Sequence, residues 1–242
     1  IGTVLLSLPI ATIQPISILA AAFTATSAVT VTGLNVVDTA NYTTFGQLVI
    51  AALIQFGGLG FMTFAILVLT SLQGKMGLSG SITAQEALGT HSNQIGSTAK
   101  AVIKIAFITE SLGFLGLTLL LAPLKGLKDA MYEAFFLCIS AFNNAGFALN
   151  GNNMTAYVHQ PMISFIISLL IITGGIGFLV ILDIIKHKRW QKFTLHTKVM
   201  VLGTLALNII GCILYWLLER HNAKTIGGLS EAGQWFASWF MA

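Results

Sequence analysis

Apolar positions along the chain gather into long and short runs, separated by brief polar stretches. Four runs reach the roughly 20 mostly apolar residues that a helix needs to cross a bilayer. They are residues 45–72, 101–122, 162–185 and 199–218, and residues 1–10 read as the tail of a fifth. Three shorter segments, 16–29, 130–142 and 229–242, are apolar but too short to cross. The first two lead into polar, glycine-bearing stretches and lack the Lys and Arg face of a helix lying on a membrane surface. They predict re-entrant half-helices, because irregular backbone at membrane depth persists only where protein buries it or where it lines a water-filled cavity.

The pattern repeats. FTATSAVTVTGL (23–34) is followed by FGGLGF (56–61), and FLCISAFNNAGF (136–147) is followed by TGGIGF (173–178). A third copy begins with EAGQWFASWFMA (231–242), which lines up with MYEAFFLCISA (131–141). Each unit reads outer helix, half-helix, glycine-bearing turn, inner helix. The units are predicted over 1–72, 97–190 and 191–242, with a loop at 73–96 between the first two. Repeats in a membrane protein place a site at their interface, and copies in the same orientation surround an axis along the membrane normal.

At that axis a half-helix presents its carbonyl end, which carries about half a negative charge and favours a cation. The chain then returns through Thr30-Val31-Thr32-Gly33-Leu34 in one copy and Asn143-Asn144-Ala145-Gly146-Phe147 in the other. Rings of backbone carbonyls can replace the hydration shell of K⁺. Glycine allows backbone conformations closed to other residues, and the short Thr and Asn side chains can brace the loop. A single TVTG is a weak signal; its recurrence as NNAG at the matching place in a repeat is much stronger.

Composition adds the solvent. Only 8% of the 242 residues are charged, against about 25% in soluble domains, so lipid covers much of the surface. The net charge is +4, but no basic face with interleaved aromatics appears, which argues against nucleic acid. Lys75, Lys100, Lys104, Lys186, Lys188, Arg189, Lys192 and Lys198 fall on one side of the predicted spans. Lys125, Lys128, Arg220 and Lys224 fall on the other. This bias places loops 73–96 and 186–198 in the cytoplasm. The chain opens inside an apolar run without Met and reads as part of a longer one. Cys138 and Cys212 read as small core or lipid-facing residues. The five histidines have no metal-ligand spacing, and no nucleophile–base set or phosphate loop is visible, so an enzyme is not expected.

TVTGL, FGGLGF, FNNAGF and GGIGF, in this order over essentially the whole chain, resemble the first two pore units of the Trk/Ktr/HKT potassium transporter superfamily, KtrB type. The resemblance implies an all-α polytopic membrane protein with four such units around a pseudo-fourfold pore, about two and a half of them here. Gly33 and Gly146 would be filter glycines, and carbonyls of Thr30, Val31, Thr32, Asn143, Asn144 and Ala145 would line the filter and hold K⁺. In plant relatives Ser at the first filter position accompanies Na⁺ transport; Gly33 here supports K⁺. The resemblance further implies a homodimer in the cell (inner) membrane, on a cytoplasmic RCK-type ring, KtrA-like, that binds ATP or ADP. No cofactor is expected in this chain itself.

Other residues carry plainer expectations. The GGxGF glycines are expected to let helices approach closely or to kink them locally. Glu110, within an apolar run, is expected to bond a neighbouring unit or the dimer partner, Asp183 to pair with Lys186, and Asn208 to bond another helix. Two alternatives stay open: a broken-helix secondary transporter, which requires inverted repeats, and a non-transporting membrane assembly subunit.

Overall fold

A computed structural model describes residues 1–73, 95–151 and 153–242, with side chains for 1–60, 101–151 and 153–242. The protein is an all-α polytopic membrane protein; among the described residues the only strand-like pairing is an isolated bridge between Thr12 and Tyr42. The helices are α1 (Gly2–Leu6), α2 (Ile18–Val29), α3 (Thr44–Gln73), α4 (Ile95–Lys125), α5 (Leu127–Phe142), α6 (Pro161–Gly175), α7 (Phe178–His187), α8 (Leu195–Glu219) and α9 (Glu231–Met241). The expected cytoplasmic loop lies almost wholly in 74–94, outside the described residues, as does Lys75.

Local chemistry explains the boundaries. Pro9 has no N–H to continue the first helix, so α1 stops at Leu6 rather than running through the expected 1–10. Ser17 accepts from the Ala20 N–H at 3.1 Å and starts α2, and Ser230 does the same for α9 through Gly233. Gly126, at φ 83°, turns the chain from α4 into α5. Residues 162–185 do not form the single helix their apolar run predicts. Helices α6 and α7 meet at a bend of 93°, because Gly177 sits at φ 96°, where L side chains are rarely found.

Among the described residues, helices α4 and α8 are each long and apolar enough to cross a bilayer, and the bent pair α6–α7 is so only when taken as one unit. Large apolar side chains along α8 are exposed, with Leu207 at 72% and Leu218 at 77%, as a lipid-covered helix requires. Helices α1, α2 and α3 pack as one group, and α4, α5 and α6 as another. The first group's core reaches across to Phe136, Ile139, Ala145 and Phe147 of the second. Burial on both sides of this seam fixes the two glycine-bearing turns against each other.

Two single-residue expectations are corrected. Asp183 bonds His187 Nδ1 at 2.6 Å and the Thr194 N–H at 2.9 Å, rather than Lys186. It thereby clips the end of α7 to the N-cap of α8. Asn208 Nδ2 donates to Thr204 O of its own helix at 2.8 Å, the back-bonding that a short amide favours when it sits within a helix.

Candidate functional site

Helices α2 and α5 end in the same way. Val31 N–H donates to Ala28 O at 3.3 Å and Thr32 N–H to Ser27 O at 3.0 Å; Asn144 and Ala145 repeat this to Ala141 and Ser140 at 3.1 and 2.8 Å. This is a Schellman closure, which satisfies two of the helix's orphan carbonyls. Its left-handed residue is Val31 (φ 50°) in one copy and Asn144 (φ 57°) in the other. Two residues on, Gly33 (φ 75°) and Gly146 (φ 73°) also hold left-handed backbone. A β-branched residue there is costly, on the order of 1–3 kcal/mol, so the surroundings must enforce the turn.

Part of the enforcement is a matched serine. Ser27 and Ser140 stand at equal distances ahead of the two glycines and both are buried. Thr32 Oγ1 donates to Ser27 Oγ at 3.0 Å, and Ser140 Oγ donates to Phe147 O at 2.6 Å. Sequence reasoning passed over these serines, although their repeat position was legible.

The GGxGF glycines supply the rest. A Cβ at Gly57 would lie 2.7 Å from the Val29 carbonyl carbon and closer still to its oxygen; at Gly174 it would lie 2.8 Å from the Phe142 carbonyl carbon, again with the oxygen nearer. Val29 and Phe142 are the last residues of the two half-helices. The inner helices therefore press on the carbonyl ends, the close approach expected of these glycines.

The two turns meet. A Cβ on Gly146 would lie 3.5 Å from Gly33 Cα, and one on Gly33 would lie 2.5 Å from Ala145 O. On one side of the meeting point is a cavity of about 680 Å³, lined by Val29, Thr30, Phe142, Asn143, Gly57 and Gly174 among others. On the other is a polar chamber of about 220 Å³, whose walls include Gly33, Asn35, Asp38, Gly146, Asn150 and Asn153. Both chain segments pass from the cavity to the chamber in the same direction. The repeats are thus parallel, whereas the broken-helix transporter requires inverted ones.

All eight predicted filter residues lie on these two turns, but their side chains do different things. Asn143 and Ala145 are buried, whereas Asn144, Thr30 and Thr32 are exposed. Asn143 Nδ2 donates to Ile139 O at 2.9 Å and to Gln55 Oε1 at 3.0 Å. Gln55 Nε2 in turn donates to both oxygens of Glu110, at 3.0 and 3.1 Å. Glu110 thus reaches a neighbouring unit, and through Gln55 it reaches the turn. Gln55 was not singled out in the sequence. Gln55→Leu takes the hydrogen-bond partner from a half-buried carboxylate and removes one of the Asn143 bonds, a loss of about 1–3 kcal/mol. The variant is expected to melt earlier in detergent and to discriminate less well between K⁺ and Na⁺ in competition uptake.

Asn144 ties its turn to the bent inner helix. Turned so that both ends of the amide find partners, its nitrogen would donate to Ile171 O at 3.3 Å and its oxygen would accept from Gly175 N–H at 3.2 Å. Those two backbone groups are spaced as hydrogen-bond partners in an unbroken helix. The amide spans them one turn before the bend. Away from the turns, buried Glu133 accepts from Lys125 Nζ at 2.6 Å and from Asn150 Nδ2 at 2.8 Å, and also from Tyr157. Burial, followed by the bond to Glu133, raises the Tyr157 phenol above its ordinary range, so it remains a donor at neutral pH. This cluster anchors the start of α5, and spacing gave no hint of it.

Over residues 3–242 the chain matches the family described as TrkH, cation transport protein. It is 46% identical over 245 residues to the Ktr system potassium uptake protein B of Bacillus subtilis (strain 168), an overlap of 100% of this chain and 55% of that protein. With the protein of the same name from Vibrio alginolyticus it shares 41% over 247 residues, covering 100% and 54%. With the potassium/sodium uptake protein NtpJ of Enterococcus hirae it shares 37% over 212 residues, covering 86% and 47%. The chain therefore spans about half the length of the curated relatives it matches.

Proposed function

This chain belongs to the TrkH family of cation transport proteins, and from that premise we propose that it supplies part of a pore through which K⁺ is taken up across the cell membrane. The observation that carries the reading is the pair of matched turns, meeting at Gly33 and Gly146 between an inner cavity and a polar chamber. Carbonyls of Thr30, Val31, Thr32, Asn143, Asn144 and Ala145, with the two glycines, replace water around a dehydrated K⁺. The half-helix C-termini stabilise the ion in the cavity below. Membrane potential drives entry, at about 2.3 kcal/mol per charge for each 100 mV.

In the same reading the protein sits in the inner membrane with loops 73–96 and 186–198 in the cytoplasm. It pairs as a homodimer on a cytoplasmic RCK-type ring whose ATP or ADP occupancy sets activity. The relatives named as parts of a Ktr system favour a multi-component assembly.

The test is Rb⁺ uptake by the full-length protein in liposomes holding an inside-negative potential. Uptake that K⁺ suppresses and Na⁺ suppresses far less supports the reading. A full-length protein that moves no alkali cation, with or without the ring, returns the chain to a membrane assembly role.

A further inference from the structure

The polar chamber beside the glycines contains a feature that the filter reading does not use. Its walls come from the loops that follow both turns, and among the described residues lining it Asp38 alone carries charge. The Asp38 carboxylate reaches the loop of the second unit. A Cβ on Gly151, in the second unit's loop, would lie 2.6 Å from Asp38 Oδ2, so the absence of a side chain at Gly151 makes room for the carboxylate. Its other oxygen accepts from the Ala40 N–H at 3.4 Å, capping a short helical turn over Thr39–Asn41. Among the described residues no Lys, Arg or His forms an ion pair with it.

We propose that this chamber is a cation-gathering site, in which Asp38 and the surrounding amide and carbonyl oxygens hold a hydrated monovalent cation before it enters the filter. Four observations converge on this. The chamber shares Gly33 and Gly146 with the turns, so an ion held there sits at the next step of the path. A volume of about 220 Å³ has room for an ion that keeps several waters. Asn35 and Asn153 place further amide groups in the wall, beside the backbone of Gly33 and Gly146. Lastly, Asp38 is exposed, so a cation arriving from water meets its field directly, which raises the local concentration of the opposite charge.

Being held by charge rather than by geometry, the site adds occupancy and not selectivity. It acts when the ion is scarce and ionic strength is low, because screening over about 10 Å at 0.1 M salt weakens it. The inference rests on the pore reading above.

The experiment measures initial Rb⁺ uptake against Rb⁺ concentration, with full-length protein in liposomes. One series is run at low ionic strength balanced by sorbitol, another with N-methylglucamine chloride added. Asp38→Asn keeps the cap on the helical turn and removes only the charge. It is expected to raise the apparent KM about fivefold at low ionic strength, the size of one charge acting at about 4 Å through water. That rise should exceed any fall in the saturating rate and should shrink as the added salt screens the wild type.

Asp38→Cys provides a check within one folded protein. A methanethiosulfonate reagent carrying a sulfonate should lower its apparent KM, and one carrying a trimethylammonium group should raise it. If the wild type transports Rb⁺ but Asp38→Asn has an unchanged KM at low ionic strength, the site is wrong and the pore reading stands. The site is equally wrong if the two reagents act alike, or if the KM shift is indifferent to salt. If the wild type transports no alkali cation, the pore reading fails and the site falls with it.

Discussion

Gly57→Ala lowers Rb⁺ uptake by the full-length protein at least about tenfold, while Gly60→Ala, in the same FGGLGF motif, leaves it close to wild type. The neighbours set the contrast. At Gly57 a methyl group meets the carbonyl of Val29, with the Val29 Cα at 2.9 Å; at Gly60 no atom of the described residues lies within 4 Å. Backbone cannot swing aside as a side chain tip can. The strain, about 1–3 kcal/mol for overpacking, must therefore move the end of α2 and the Val31–Gly33 turn with it. A displacement worth 1.4 kcal/mol in the transition state already costs tenfold in rate. Gly174→Ala should behave like Gly57→Ala, since its added methyl meets Phe142 in the matching place. Equal uptake by the alanine variants at 57 and 60 would show that inner-helix contact does not hold the turns.

Serine at Gly33 damages K⁺ over Na⁺ discrimination more than serine at Gly146. Both positions hold left-handed backbone, at φ 75° and 73°, which costs a non-glycine residue roughly 1–2 kcal/mol. Only Gly33 adds a collision, with a Cβ 2.5 Å from Ala145 O and 3.2 Å from Gly146 Cα; at Gly146 the nearest atom stands at an ordinary 3.5 Å. Serine at 33 therefore pushes the neighbouring turn as well as its own. Competition of Na⁺ and K⁺ against Rb⁺ uptake, measured in both variants, reads the difference. We expect selectivity to fall about tenfold or more for Gly33→Ser and by a smaller factor for Gly146→Ser. The reverse order would remove the filter assignment, or the contact between the two turns.

Much of this arrangement was legible in the chain. Short apolar runs leading into TVTGL and NNAGF announced two short helices that end in glycine-bearing turns. What misled was reading similar motifs as similar structure. FGGLGF stays inside α3, whereas TGGIGF breaks the run between α6 and α7 at Gly177. Composition does not distinguish them, because tolerance of glycine in a helix depends on what packs beside it. In the second copy the Asn144 amide engages the backbone just before the bend, an interaction for which Val31, its counterpart in the first copy, has no chemistry. Asp183 illustrates the same limit. Lys186 was near it along the chain, but the Thr194 N–H was the nearer partner in space.

Hydrophobic periodicity and the repeat were enough to establish a lipid-embedded helical protein built from repeated units, since run length against bilayer thickness and glycine placement are properties of the chain alone. Folding in three dimensions settled which groups carry the turns. The Glu110–Gln55–Asn143 series, the pressure of Gly57 and Gly174 on carbonyl ends and the contact between the two turns all join residues distant in sequence. No local pattern encodes such distances, because they arise only when separate helices bury their faces against one another.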